Sequence, residues 1–253
     1  MLLIIDIGNT NTSLGVFEKD ELMHTFVLSS DIKKTDDEYG ISLLTILNHK
    51  NIASKIKGAI ISSVVPQLCE IYKSAIKKYL EIDAITLSYK SNMPIKLNLK
   101  NNKEIGADRI ANASAVVSKY KLPAIVIDFG TATTFDIVDS NANFIGGLIA
   151  PGLKIQAKSL SQFTSKLPKL KIEAPSSAIG KDTISAMLSG IVLGHSCKID
   201  GMIKKCEKEL GQKATIIATG GYSNVLFENS EIDYIDKNLT LFGLKELYNL
   251  NKN

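Results

Sequence analysis

Two stretches of this chain are built alike, and no other feature of the sequence narrows its fold so far. Leu2 to Phe17 reads LLIIDIGNTNTSLGVF: an apolar run into Asp6, then Ile7 and Gly8, then the small polar cluster Asn9, Thr10, Asn11, Thr12 and Ser13, then Leu14, Val16 and Phe17. That pattern predicts a buried strand, a tight turn and a second strand, with a carboxylate at the mouth of the turn. Ala124 to Asp139, AIVIDFGTATTFDIVD, repeats it with Asp128, Gly130, Thr131, Thr133 and Thr134, and the two Asp-x-Gly units stand at one common offset. Two such units half a chain apart predict two similar half-domains with their turns facing one cleft.

The chemistry of the turns suits a nucleotide phosphate. Glycine lets the backbone approach a ligand, and small hydroxyl and amide side chains join the N–H groups of the turn as donors to phosphate oxygens. Taken singly, each stretch reads equally well as an ordinary hairpin, since Asn, Gly and Thr favour turns. The second copy tips the balance toward a site.

With 253 residues the chain can form one large domain or two of about half that size. The net charge is +4, with lysines spread along the sequence and no basic run interleaved with aromatics, so no nucleic-acid partner is expected. The opening MLLIID lacks a basic leader and is too short to span a bilayer, which predicts a cytoplasmic protein with no membrane partner. Cys69, Cys197 and Cys206 have neither paired nor metal-ligand spacing and read as bystander thiols.

Of the 30 basic residues, only Arg109 is an arginine. A single Arg among lysines points to planar, two-donor capture of a carboxylate or phosphate. It lies in GADRIANASAVVSKY, Gly106 to Tyr120, where Ala107, Ile110, Ala111, Ser114 and Val117 share a helical face and Asp108 and Arg109 fall in the first turn. Asp108 suits the positive end of the helix dipole, so capping is an alternative for it; Arg109 opposes that dipole, which argues for a ligand anion.

Elsewhere, Glu21 to Leu28 reads as a strand and Asp31 to Lys50 as a helix, capped by Thr35 with Glu38 and presenting Ile41, Leu44 and Leu47. Lys57 to Val65 is a strand ending in Ser62 and Ser63, with Pro66 opening a helix; the serines can touch a ligand or cap that helix, and capping is slightly favoured. Helices are expected over Leu153 to Phe163, Lys181 to Leu210 and Leu239 to Leu250, and a strand over Ala214 to Ala218 that runs into Gly220 and Gly221. The long helix is rich in small residues, so it can be core or a dimer contact, and Thr183 near its start can donate to an anion. His24 and His49 read as half-exposed structural residues, and His195, mid-helix, is expected to pack or face solvent rather than catalyse.

In this order the motifs DIGNTNTSLG (Asp6 to Gly15), SVVP (Ser63 to Pro66), GADR (Gly106 to Arg109), DFGTATT (Asp128 to Thr134), GGLIAPG (Gly146 to Gly152), GKDT (Gly180 to Thr183) and TGG (Thr219 to Gly221) span nearly the whole chain. The chain closely resembles the type III pantothenate kinases of the acetate kinase, sugar kinase, Hsp70 and actin superfamily. That resemblance implies an α/β fold of two ribonuclease-H-like halves, residues 1–120 and 121–253, with mixed sheets flanked by helices and the active site in the cleft. It further implies phosphorylation of pantothenate by ATP. Asp6, Ile7, Gly8, Asn9, Thr10, Asn11, Thr12, Ser13 and Thr131 would hold ATP, and Asp6 its Mg²⁺. Gly106, Ala107, Asp108, Arg109 and Thr183 would hold pantothenate, with Asp108 as the base and Thr183 reaching across a homodimer interface. Asp128 would bind the monovalent cation, K⁺ or NH₄⁺. Where the family often has a tyrosine seven residues before the GADR glycine, this chain has Leu99. The rivals are another kinase or phosphatase of the superfamily, which GADR beside GKDT disfavours, and a non-catalytic regulatory protein, which the retained Asp6, Asp108 and Asp128 disfavour.

Overall fold

The computed structural model describes residues 1–227 and 231–252. They fall into two compact units, Met1–Ser118 with Leu239–Asn253, and Lys119–Asn238. The first contains β1 (Leu2–Ile7), β2 (Asn11–Glu18), β3 (Glu21–Ser29), α1 (Asp36–His49), β4 (Gly58–Ser63), α2 (Pro66–Leu80), the two-residue strands β5 (Ile85–Thr86) and β6 (Lys96–Leu97), and the helix α3 (Ala107–Lys119). The second contains β7 (Ala124–Phe129), β8 (Ala132–Val138), β9 (Asn143–Pro151), α4 (Leu153–Phe163), α5 (Thr183–Leu188), α6 (Gly194–Leu210), β10 (Thr215–Thr219), α7 (Ser223–Phe227) and β11 (Tyr234–Ile235). The last helix, α8 (Leu239–Asn251), returns to the first unit.

Both units use one sheet plan. The first runs β3-β2-β1-β4-β5, with β1 antiparallel to β2 and parallel to β4. The second sheet has six strands, five of which run β9-β8-β7-β10-β11, with β7 antiparallel to β8 and parallel to β10. The repeat read from Asp6 and Asp128 is thus a repeat of topology, with β1 and β7 at the centre of mixed sheets flanked by helices.

Along β1, Leu3, Ile5 and Ile7 pack with Tyr39, Leu43 and Leu47 of α1 and Leu68, Tyr72 and Ile76 of α2. The opposite face takes α8, where Phe242 meets the edge of Phe17 at 5.3 Å between ring centres and Leu241 lies over Gly15. Burial on both faces explains why β1 reads as a continuous apolar run. Each large side chain withdrawn from water contributes about 1.5–3 kcal/mol. In the second unit Ile125, Ile127, Phe129 and Phe135 pack with Leu153 and Ala157 of α4 and Ile199 and Ile203 of α6.

Four expectations change. α1 begins at Asp36, after the capping box that Thr35 and Glu38 do form. Its face of Tyr39, Leu43 and Leu47 packs in the core, while Ile41 is 57% exposed. Neither serine caps α2: its N-cap is Val65, without a side-chain bond, and Ser63 Oγ instead bonds Val65 N–H at 3.0 Å. The helix expected over Lys181 to Leu210 starts at Thr183 and contains a π-helical turn, Ser189–Leu193. Finally, a division at residue 120 would leave α8 in the second half, whereas its apolar face belongs to the first sheet.

Candidate active site

The first unit gathers its chemistry at the carboxyl end of β1. Asp6 is paired in register with Ser13 on β2 and with Ser62 on β4, so a hydroxyl, a carboxylate and a hydroxyl form one row across three strands. The turn that follows, residues 8–11, is closed by Gly8 N–H donating to Asn11 O at 3.0 Å, and Asn9, Thr10 and Asn11 are exposed. It is braced from β3: Ser30 N–H donates to Thr10 O at 3.0 Å, and Ser30 Oγ lies 2.9 Å from the buried Thr12 Oγ1.

The start of α3 brings the second carboxylate. Gly106 O accepts the first helical bond, from Ile110 N–H at 3.2 Å, and Asp108 Oδ1 accepts from Arg109 N–H at 2.8 Å. A side chain at Gly106 would collide with Asp108 Oδ1, so this glycine makes room for the carboxylate. The capping alternative for Asp108 is therefore partly real, since it bonds an N–H of the first turn. Arg109 is half-buried beside it, and its charge favours the ionised form of Asp108.

The two carboxylates influence each other. Burial, then the negative charge of Asp108, pushes the Asp6 carboxyl up to about 7, with the neighbouring Ser62 hydroxyl opposing to a smaller extent. Burial likewise raises Asp108, opposed by the Arg109 N–H and guanidinium. An acid held above its ordinary range beside another acid gains from a nearby cation. Among the described residues no three His, Cys, Asp or Glu converge on a metal site. A small hard cation that takes one carboxylate and completes its shell with phosphate and water fits Asp6.

Asp6→Asn tests this electrostatic picture. Ionising Asp6 costs the fold, because its carboxyl titrates near 7 in the folded protein against 3.8 as its ordinary value. The cation-free protein should therefore lose stability from this group as pH rises from about 4 to about 7. Asp6→Asn is expected to melt several degrees above the parent at pH 8 and level with it near pH 4. Parallel melting curves across that range would refute the coupling.

The second unit repeats the row. Asp128 is in register with Thr134 on β8 and with the buried Thr219 on β10. Its turn, residues 130–132, is shorter than that of the first unit and is closed by Gly130 N–H to Ala132 O at 3.1 Å. Gly220, at φ 86°, packs against Asp128 and the Phe129 backbone, and a side chain there would strike both. An oxygen-lined place for a monovalent cation is compatible with this donor set. Thr131 stands in the turn, and Thr183 is exposed at the start of α5, behind the N-cap Asp182.

The structure thus brings Asp6, Asp108 and Arg109 together in the first unit, with Ile7 to Ser13 on the adjoining strand ends and turn, and places Asp128, Thr131 and Thr183 in the second. Sequence reasoning underrated Ser62, whose only signal was its place at the end of an apolar strand. His195, expected to pack or face solvent, packs: it is buried and bonded to Thr133.

A family model for type III pantothenate kinase matches residues 2–205. Type III pantothenate kinases of Finegoldia magna and Syntrophus aciditrophicus are 45% identical over 258 residues and 44% identical over 255. They cover 100% and 99% of this chain, which in turn covers 98% and 100% of theirs. Among solved structures, a Campylobacter jejuni protein described as a Baf family transcriptional activator aligns with a TM-score of 0.61 at 24% identity, over 98% of this chain and 97% of its own. MreB 5 of Spiroplasma citri aligns at 0.56 with 10% identity, over 98% and 95%. At such identities the structural likeness bears on the fold alone.

Proposed function

The chain belongs to the type III pantothenate kinase family, and on that footing we propose that it transfers the γ-phosphoryl group of ATP to the primary hydroxyl of pantothenate. The product is 4′-phosphopantothenate, on the way to coenzyme A. The observation that carries this reading is the pair of half-buried carboxylates, Asp6 at the phosphate turn and Asp108 at the start of α3, with Arg109 beside the second.

In this mechanism Asp108 is the base. A free aspartate, with a pKa of about 3.9, cannot deprotonate an alcohol in advance. Phosphoryl transfer through a loose transition state needs little early deprotonation, so a carboxylate that orients the hydroxyl and accepts its proton late is sufficient. Burial raises Asp108 toward a more effective basicity, while Arg109 keeps it ionised. The Arg109 guanidinium takes the substrate carboxylate through two donors, with the backbone of Gly106 and Ala107 alongside. On the other substrate, N–H groups and hydroxyls from Gly8 to Ser13 hold the phosphates, and Thr131 adds a further contact to ATP. Asp6 would hold Mg²⁺, and Asp128 would hold K⁺ or NH₄⁺; when bound, these cations offset the charge gathering on the phosphates.

The homodimer is part of the proposal. Thr183 is flanked by Ile179, 83% exposed, and Ile184, 52% exposed, apolar surface of the kind a second copy covers. The compartment proposed is the cytoplasm, and no helix among the described residues is long and apolar enough to cross a membrane.

The decisive assay is ADP release by purified protein with MgATP and pantothenate, in K⁺ and then in Na⁺. Release that requires pantothenate and falls at least severalfold in Na⁺ is expected. Folded protein inactive in both buffers would overturn the assignment of substrate.

A further inference from the structure

His195 takes part in none of these steps, yet it is 1% exposed and fully engaged. It sits in the first turn of α6, directly after the π-helical turn, on the core face with Ile199 and Ile203. Its Nδ1 lies 2.8 Å from Gln156 Nε2 and its Nε2 lies 3.0 Å from Thr133 Oγ1. Gln156 Nε2 also donates to Pro151 O at 2.9 Å.

These bonds determine the tautomer. The Pro151 carbonyl only accepts, so the Gln156 group facing it is the NH₂, and that NH₂ can only donate to Nδ1. Nε2 therefore carries the proton and donates to Thr133 Oγ1. Burial, followed by the charge of Lys198, holds the ring neutral, its pKa pushed down to about 4. Phe129 meets the imidazole edge-on at 6.1 Å.

The relay ends at the turn between β7 and β8. Thr133 is the cross-strand partner of Phe129, and together they enclose residues 130–132. From the other side Gly152 presses on the turn so closely that a side chain there would strike Gly130 O and Thr131 O. Gln156 N–H donates to Gly152 O at 3.0 Å. The matching place in the first unit, Thr12 opposite Ile7, is also a buried threonine, but Ser30 on the strand end is its partner. In the second unit the corresponding bond goes to the helical segment that opens at Thr183.

We propose that His195 is a positioning residue. In its neutral, Nε2-protonated form it fixes Thr133, and through Thr133 and Gln156 it holds the 130–132 turn in the shape that receives nucleotide. This rests on the reading that the turn contacts ATP. π-helical turns recur at functional positions, and this one lies directly before the helix that carries His195.

His195→Phe keeps the bulk and removes both ring nitrogens. It should raise the KM for ATP, and the Kd of a non-hydrolysable ATP analogue, by about tenfold, the scale of one buried hydrogen bond. The KM for pantothenate should stay within about twofold. His195→Gln, which restores a donor toward Thr133, should recover most of the affinity. Thr133→Val should reproduce most of the His195→Phe effect, and the double variant should be no worse than His195→Phe, because both break the bond between Thr133 and His195. In the histidine-labelled parent at pH 7, ¹⁵N NMR should show the proton on Nε2. Unchanged analogue affinity in folded His195→Phe, or a proton on Nδ1, would overturn the proposal. If His195→Phe does not fold, unchanged affinity in Thr133→Val does so. A parent that binds the analogue but leaves pantothenate unphosphorylated would refute the proposed reaction, and the variants' analogue affinities would still decide the role of His195.

Discussion

Asp108→Asn is expected to lower kcat by about 10²–10⁴-fold, the usual span for a general base, while nucleotide affinity and melting temperature stay close to those of the parent. The amide is nearly isosteric, and its oxygen can still accept from Arg109 N–H as Asp108 Oδ1 does at 2.8 Å. The start of α3 should therefore survive. Removing the charge also removes the repulsion that helps raise Asp6, so Asp6 ionises more readily and would still hold the proposed cation. A loss confined to kcat thus separates proton acceptance from binding. Arg109→Lys supplies the contrast: a point charge in place of a planar fork should raise the KM for pantothenate more than it lowers kcat. Near-normal turnover in Asp108→Asn would remove Asp108 from the role of base.

Much of this site could be read from the chain because it lies in short contiguous pieces. The turn after Asp6 is local, the order of β1 and β2 follows from it, and the second copy at Asp128 reproduces the same physics. Asp108 and Arg109 stood out because one helix start carried both a favourable and an unfavourable charge. Ser62 was harder, since its row with Asp6 depends on a parallel pairing made only after the chain has passed through β2, β3 and α1. A serine at a strand end gives no local sign of that register. His195 was read as packing or facing solvent, and it packs, in step with Ile191 and Ile199; its bonds to Thr133 and Gln156 were not legible because those partners lie on other elements. Ile41 was misjudged because its steps of three to Leu44 and Leu47 also trace a helical face, whereas the face that packs in the core runs in steps of four, Tyr39, Leu43 and Leu47.

The return of α8 was the least legible feature, and it carries the largest stability prediction. Its apolar pattern would suit either unit; what commits it to the first is close backbone packing that depends on glycine. Leu241 lies over Gly15 of β2 and Tyr248 over Gly58 of β4. At Gly243 the helix approaches α3 so closely that a Cβ would collide with the Ala111 carbonyl oxygen and stand 2.7 Å from its carbonyl carbon. Neither atom can swing aside, because both belong to the backbone of a buried helix. Relief would require α8 and α3 to separate along their contact, pulling Leu244 and Leu247 out of fully buried places. Overpacking of a well-filled core usually costs about 1–3 kcal/mol, and a backbone collision lies at or beyond the upper end. Gly243→Ala is accordingly expected to destabilise the first unit by about 3 kcal/mol or more, despite the better helix propensity of alanine, which offsets only about 1 kcal/mol. Because α3 carries Asp108 and Arg109, activity should fall with stability in this variant. Gly201→Ala on α6, where a Cβ would meet nothing within 4 Å, should show only the gain from propensity. Chemical denaturation of the two variants beside the parent decides the matter: equal midpoints for Gly243→Ala and the parent would mean that α8 does not pack on α3 as closely as described.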